Sequence, residues 1–348
     1  MSANRPQDLF FHLAGQDDNL GDSALRLAYL NAARGEGRRL HIYFGAATPD
    51  YTSGFALGRR DRIYTHRPTW LAAGDAARRG IHFLNAGEIN PPPGLFPNIH
   101  RTRELRNTVD AGGVFIAAGF GIKDPSSIEQ VEFDDVLRNA AIVSWRDTPS
   151  RDAAGFGGVA PDWAYSLGTP TSQWAPADER PLLAVTLRFD RPWPGSRWIA
   201  SVRDLASRTS TRIVTLAQVS RDAPRAVRLA EELGGEYLMP PSMDHATLDA
   251  HARGAFKMSR FVVSDRAHGL IIAASEGAYP IGSGADPQKI HRLLATAGLG
   301  ELVGRYDQID EFSERLDEHL PQLAPSIDTA RDELAALTKR IHDVIDAD

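Results

Sequence analysis

Phe261-Val262-Val263-Ser264-Asp265-Arg266-Ala267-His268-Gly269-Leu270-Ile271-Ile272-Ala273-Ala274 runs from an apolar, β-branched segment through a polar turn into an apolar stretch of helical length. A strand that feeds directly into a helix is the repeating unit of a parallel α/β sheet. At the turn, the backbone N–H groups of Ala267 to Leu270 face one ligand position at a helix start, and Arg266 and His268 add a guanidinium and an imidazole. Ser264, Arg266 and His268 are therefore candidate anion-binding and acid residues. A lone histidine here more often caps its own helix or satisfies a buried carbonyl; the arginine two residues earlier shifts the balance toward function.

The same alternation extends outward in both directions. Strand-length apolar runs recur at 8–14, 38–45, 81–85, 114–119 and 140–145, with helical spacing over Asp22 to Ala33 and Arg101 to Val109. After the polar, proline-bearing stretch 168–180, a second series has strands at 182–189, 212–219, 235–239 and 260–264 with helices between them. This predicts an N-terminal Rossmann-like domain over 1–178 and a C-terminal one over 179–324, both with parallel sheets. Past Leu299 the pattern reads as helical only. Ala330, Leu334, Leu337 and Ile341 predict a final helix, and 325–348 is expected to pack back across the domain junction. Two such halves facing a shared cleft resemble the GT-B architecture, which hosts several chemistries, so function must be argued from sites.

Composition narrows the classes. Of 348 residues, 42% are hydrophobic and 24% charged, which fits a globular chain, and no apolar run approaches the roughly 20 residues of a membrane helix. The formal net charge of −6 argues against nucleic-acid binding but leaves local arginine clusters free to hold small anions. The absence of cysteine removes disulfides, thiolate zinc sites and a cysteine nucleophile. The N-terminal MSANRPQDLFFHLAG lacks the cleavage site of a leader, so the expected location is the cytoplasm, with the inner face of the membrane as an alternative place of work.

Several further motifs bear on chemistry. Gly15-Gln16-Asp17-Asp18-Asn19-Leu20-Gly21-Asp22 follows the first strand and opens a helix, which makes Asn19 and Asp22 either helix caps or ligand contacts. No G-x-G-x-x-G spacing and no phosphate-loop pattern is present. Arg146-Asp147 ends a strand and reads as a local ion pair as readily as a site; Pro161-Asp162 follows it. Arg188 closes a strand at the carboxyl edge of the second sheet, where open α/β folds place ligands. His245 and His251 flank Asp244 and Asp249 but stand six apart, on different faces of a helix, so a surface helix is expected and no metal site. Lys289 opens a late helix and is either solvated or a ligand cation. The acidic stretches 129–135 and 307–318 read as solvated helix faces. Trp163, Trp174, Trp193 and Trp198 are core residues first and sugar-stacking rings second.

Taken in order, Asn19-Leu20-Gly21-Asp22, Arg146-Asp147 with Pro161-Asp162, the S-x-R-x-H core of Ser264, Arg266 and His268, and Lys289 with Gly277 and Pro280 before it resemble the polysaccharide pyruvyl transferase family over most of the chain. Two departures stand out: a glycine-rich turn of the first domain reads Ala117-Ala118-Gly119-Phe120-Gly121, and Ala267 stands where a larger apolar residue is frequent. The resemblance implies transfer of the pyruvyl unit of phosphoenolpyruvate onto two hydroxyls of a sugar, as a ketal, with no cofactor and no metal. It implies His268 as general acid, Arg266, Arg188 and Lys289 as donor-binding cations, and Ser264, Arg146, Asn19 and Asp22 as further substrate contacts. The expected partners are phosphoenolpyruvate and a nucleotide- or lipid-linked saccharide acceptor destined for cell-surface polymer, with a homo-oligomer left open. Rival readings are a nucleotide-sugar glycosyltransferase or epimerase, and a non-catalytic glycan-binding relative.

Overall fold

The computed structural model describes residues 7–77 and 79–347, with Ser313 by its backbone only. The leader reading of the N-terminal stretch falls partly on residues 1–6, outside the described residues; Gln7–His12 form the first strand. By residue contacts the chain divides into two compact units. The first holds residues up to Asp17, Leu25–Trp163 and the chain from Glu333; the second holds Asp18–Ala24 and Ala164–Asp332.

The first unit carries β1 (Gln7–His12), β2 (Arg38–Tyr43), β3 (Arg62–Tyr64), β4 (Ile81–Phe83), β5 (Gly87–Ile89), β6 (Gly94–Phe96), β7 (Val114–Ile122), β8 (Val131–Phe133), β9 (Ile142–Trp145) and β10 (Gly158–Val159). Its helices are α1 (Leu20–Asn31), whose first turn groups with the second unit, α2 (Pro49–Ser53), α3 (Arg67–Asp75), α4 (Ile99–Asp110), α5 (Asp135–Arg138) and α6 (Thr148–Ala154). The main sheet is parallel in the order β10-β9-β7-β4-β1-β2-β3, with β5 also on β7, and β6 and β8 form a separate parallel pair. The strand order reverses between β1 and β4. Phe10, Phe11, Ile81, Phe83 and Ile116 are fully buried, as strands covered on both faces require.

The second unit adds β11 (Leu182–Thr186), β12 (Arg212–Thr215), β13 (Glu236–Tyr237), β14 (Ser259–Ser264), β15 (Tyr279–Gly284) and β16 (Val303–Arg305). Its helices are α7 (Ser196–Arg208), α8 (Ala223–Leu233), α9 (His245–Lys257), α10 (Ala267–Ser275), α11 (Gln288–Ala295), α12 (Ile309–His319) and the first part of α13 (Leu323–Asp346). The sheet is all parallel, β13-β12-β11-β14-β15-β16. β11 and β14 sit side by side at its centre, and their connections leave in opposite directions. Open α/β sheets bind ligands at the carboxyl ends of such a strand pair. α10 is buried nearly all round, as a helix without a polar face must be.

Three expectations need correction. The region past Leu299 is not only helical: Val303–Arg305 adds an edge strand beside Gly282–Gly284, too short to register as a period. Residues 129–135 are not a helix face: Val131 and Phe133 alternate with exposed Glu132 in β8, and Asp134 is a buried cap of α5. The 117–121 segment is not a turn but the end of β7, where Gly119, at φ +86°, forms a bulge between Ala118 and Phe120.

Candidate active site

The site is built on the carboxyl edge of β11 and β14. Ser264 ends β14 opposite Thr186 of β11, and its hydroxyl donates to the Thr186 carbonyl at 2.7 Å while accepting the Arg266 N–H at 2.9 Å. Ser264 therefore fixes the turn that launches α10. Arg266 precedes that helix, and its Nε and Nη2 donate to the two carboxylate oxygens of Asp222 at 2.7 and 2.8 Å. Asp222 has no exposure and the Arg266 side chain 9%, so this is a buried, two-point ion pair. Asp222 also accepts the Phe189 N–H at 3.0 Å, which ties the chain after β11 to the same carboxylate.

His268 is the second residue of α10 and partly exposed. It packs against the first turn of α1. A Cβ placed on Gly21 would fall 2.4 Å from His268 Cβ and 2.8 Å from Nδ1, so only glycine lets that turn approach so closely. The two sequence motifs thus meet: Asn19-Leu20-Gly21-Asp22 lies on the imidazole of the S-x-R-x-H turn. Asn19 Oδ1 accepts the Gly21 N–H at 3.0 Å and its carbonyl accepts those of Asp22 and Ser23, so Asn19 caps α1, while Asp22 brings its charge to the first turn. Two further bonds hold the segment to its unit. Arg221 pairs with both oxygens of Asp18 at 2.9 and 3.0 Å. His245 Nε2 lies 2.7 Å from Ser23 Oγ, whose own proton goes to the Leu20 carbonyl, so the imidazole is the donor. His245 is buried, contrary to the surface helix expected there, because this contact covers it.

Arg188 follows β11, and its Nε and Nη2 hold Asp190 at 2.9 and 2.7 Å. That pairing keeps the Asp190 carboxyl down at about 2. The Arg188 N–H donates to Asp265 Oδ1 at 2.8 Å, and the Tyr306 hydroxyl to Oδ2 at 3.3 Å. Burial, only partly offset by the Arg188 N–H and the charges of Arg266 and Arg188, raises the Asp265 carboxyl to about 6. An acid whose folded pKa lies above its unfolded value makes the fold less stable as pH rises from about 4 to about 6, after which the loss is complete. Asp265→Asn is therefore expected to be more stable than the native chain at pH 8, by on the order of 3 kcal/mol, and equal to it near pH 3.5; urea unfolding at both pH values checks this.

The remaining sequence candidates are placed less centrally. Lys289 is the second residue of α11, the helix that follows β15, and is partly exposed. Arg146 belongs to the first unit, where Nη1 reaches Asp162 at 3.2 Å, both side chains buried, while Asp147 caps α6 through the Ser150 N–H. Trp163 and Trp198 are core residues, and Trp193 lies under the guanidinium groups of Arg225 and Arg228. Sequence reading missed Asp222, whose importance lies in a partner 44 residues away, and Gln218, a fully buried amide lying against Gly269 of α10. Among the described residues no group of three His, Asp or Glu is placed to hold a metal ion, and no helix is long and apolar enough to cross a membrane.

Two parallel α/β sheets of this order, one with a cation-bearing helix start at its strand reversal, define a fold of the GT-B class. Among solved structures, Anabaena Alr3699/HepE in complex with UDP superposes with a TM-score of 0.55 at 11% identity, over 97% of this chain and 99% of that one. TcCGT1 in complex with UDP gives 0.52 at 7% identity, with the same shares. At such identities the likeness is one of fold. The polysaccharide pyruvyl transferase family model matches residues 19–284, a span that opens on Asn19, includes Arg188 and the Ser264–His268 turn, and stops short of Lys289. The chain belongs to the polysaccharide pyruvyl transferase family. No protein of curated function matches it in sequence.

Proposed function

We propose that the protein transfers the pyruvyl unit of phosphoenolpyruvate, as a ketal, onto two hydroxyls of a sugar in a cell-surface polysaccharide or its nucleotide- or lipid-linked precursor. The observation that carries this reading is the meeting of the α1 cap with the Arg266–His268 turn at the carboxyl edge of β11 and β14. The His268 imidazolium donates a proton to the methylene carbon, which leaves C2 electrophilic. The first sugar hydroxyl adds to C2 and its proton returns to the imidazole. The second hydroxyl then displaces phosphate, which leaves with that hydroxyl's proton. The N–H groups at the start of α10 face the developing anion, and the Asp222 pair holds the Arg266 guanidinium in one orientation, with Nη1 outside the pair, so little reorganisation is needed. Arg188 and Lys289 add positive charge for the donor carboxylate, Arg188 by exchanging Asp190 for it. Neither metal nor cofactor enters this scheme.

The test is to incubate candidate saccharides, free and carrier-linked, with phosphoenolpyruvate. Phosphate release that requires the acceptor, together with the pyruvyl mass increment on it, is the expected result. Release of a nucleoside diphosphate from a nucleotide sugar instead would favour a glycosyltransferase, and glycan binding without turnover a non-catalytic relative.

A further inference from the structure

The first sheet has a strand reversal of its own, between β1 and β4, and positive charge gathers there. His12 closes β1; its ring stacks near Tyr43 of β2, with centroids 5.4 Å apart, and stands 6.3 Å from Trp70 of α3. Arg67 opens α3 one turn before Trp70, and Arg101 lies in the first turn of α4. Both guanidinium groups donate to the same oxygen, Glu104 Oε2, Arg101 at 3.1 Å. Two cations thus share one carboxylate. Deeper in, Arg26 donates to Asn85 Oδ1 at 3.2 Å and to the Ala14 carbonyl at 2.7 Å. The His12 imidazole lies within reach of these cations: burial first, then the charges of Arg101, Arg67 and Arg26, push it down to about 3.

The group is reachable. The side chains of Arg67, Arg101 and Glu104 retain 33%, 18% and 26% of their exposure. Neutral sugar hydroxyls do not require converging guanidinium groups, whereas phosphate oxygens match their forked donors. An aromatic and imidazole wall beside such cations suits a phosphate with a ring attached. We infer that Arg67 and Arg101, beside His12 and Tyr43, bind the diphosphate that links the acceptor sugar to its carrier, with Glu104 giving way to it. As far as it concerns the acceptor, this rests on the pyruvyl-transfer reading; the anion site itself does not.

The experiment is calorimetric titration of the full chain with inorganic pyrophosphate, and in parallel arms with uridine diphosphate, farnesyl diphosphate in micelles and phosphoenolpyruvate. Arg67→Gln is expected to weaken pyrophosphate at least tenfold, about 1.4 kcal/mol, while Glu104→Gln strengthens it and phosphoenolpyruvate affinity stays constant in both. Arg67→Lys, which keeps the charge, retains most of the affinity and guards against a folding defect. Tighter binding of the nucleotide supports a nucleotide carrier, and of the farnesyl compound a lipid one. Equal pyrophosphate affinity in the native chain and Arg67→Gln, or none in the native chain, overturns the inference. Pyruvyl transfer to a diphosphate-linked acceptor sugar with unchanged KM in Arg67→Gln overturns it too, leaving the transfer reading intact. Arg67-dependent pyrophosphate binding without any transfer from phosphoenolpyruvate leaves the site standing and removes that reading.

Discussion

Replacing His268 with glutamine is expected to lower turnover by about 10²–10⁴ while leaving phosphoenolpyruvate binding nearly intact. Glutamine keeps the Cβ and Cγ atoms against which Gly21 packs, so the contact between α1 and α10 survives. It cannot deliver a proton to carbon. The helix N–H groups and Arg266 remain, and these carry anion affinity in the proposed mechanism, so rate and binding separate. Acceptor-dependent phosphate release and a calorimetric titration of phosphoenolpyruvate read the two quantities independently. Turnover close to that of the native chain would remove His268 as the acid and leave it a packing partner of Gly21.

The second large effect is on stability. Asp222→Ala strips the buried Arg266 guanidinium of both carboxylate bonds and the Phe189 N–H of its acceptor. Removing one member of a buried ion pair typically costs about 3–5 kcal/mol, because the other charge stays behind without water. The double variant Asp222→Leu with Arg266→Met is expected to regain most of that loss, since two apolar groups need no partners, yet to lose activity with the arginine. Urea unfolding of the second unit's transition checks both. A loss in Asp222→Ala of under about 1 kcal/mol would mean that water reaches the pair, as at a surface ion pair.

Much of the fold was readable from the chain. The Phe261–Ala274 stretch announces a strand, a turn and a helix, and the structure has β14, the turn and α10 there. Most of the longer strands fall on the expected apolar runs because a parallel sheet buried on both faces demands continuous Val, Ile, Leu and Phe, but the six-residue β15 was missed, since Tyr279-Pro280-Ile281-Gly282-Ser283-Gly284 carries a proline and two glycines. Elements of two or three residues escaped notice. β16 spans Val303–Arg305, and β8 hid in an acidic stretch because one buried face needs only Val131 and Phe133. The site was half legible: Ser264, Arg266 and His268 share one turn and announce themselves by spacing, whereas Asp222 and Gln218 sit in an ordinary polar loop after β12.

The sequence by itself determined where strands and helices form and that cations stand at a helix start, because hydrophobic period and turn chemistry act over a few residues. Only the tertiary structure decided which carboxylate holds Arg266, and that the Asn19-capped turn lies on His268 with Gly21 as the point of closest approach. Those pairings depend on strand order, which sets residues 44 or more positions apart side by side at one sheet edge. Local spacing carries no record of which distant loop arrives there. An arginine that read as an available cation is therefore, in the folded chain, already held by a buried carboxylate at the sheet's strand reversal.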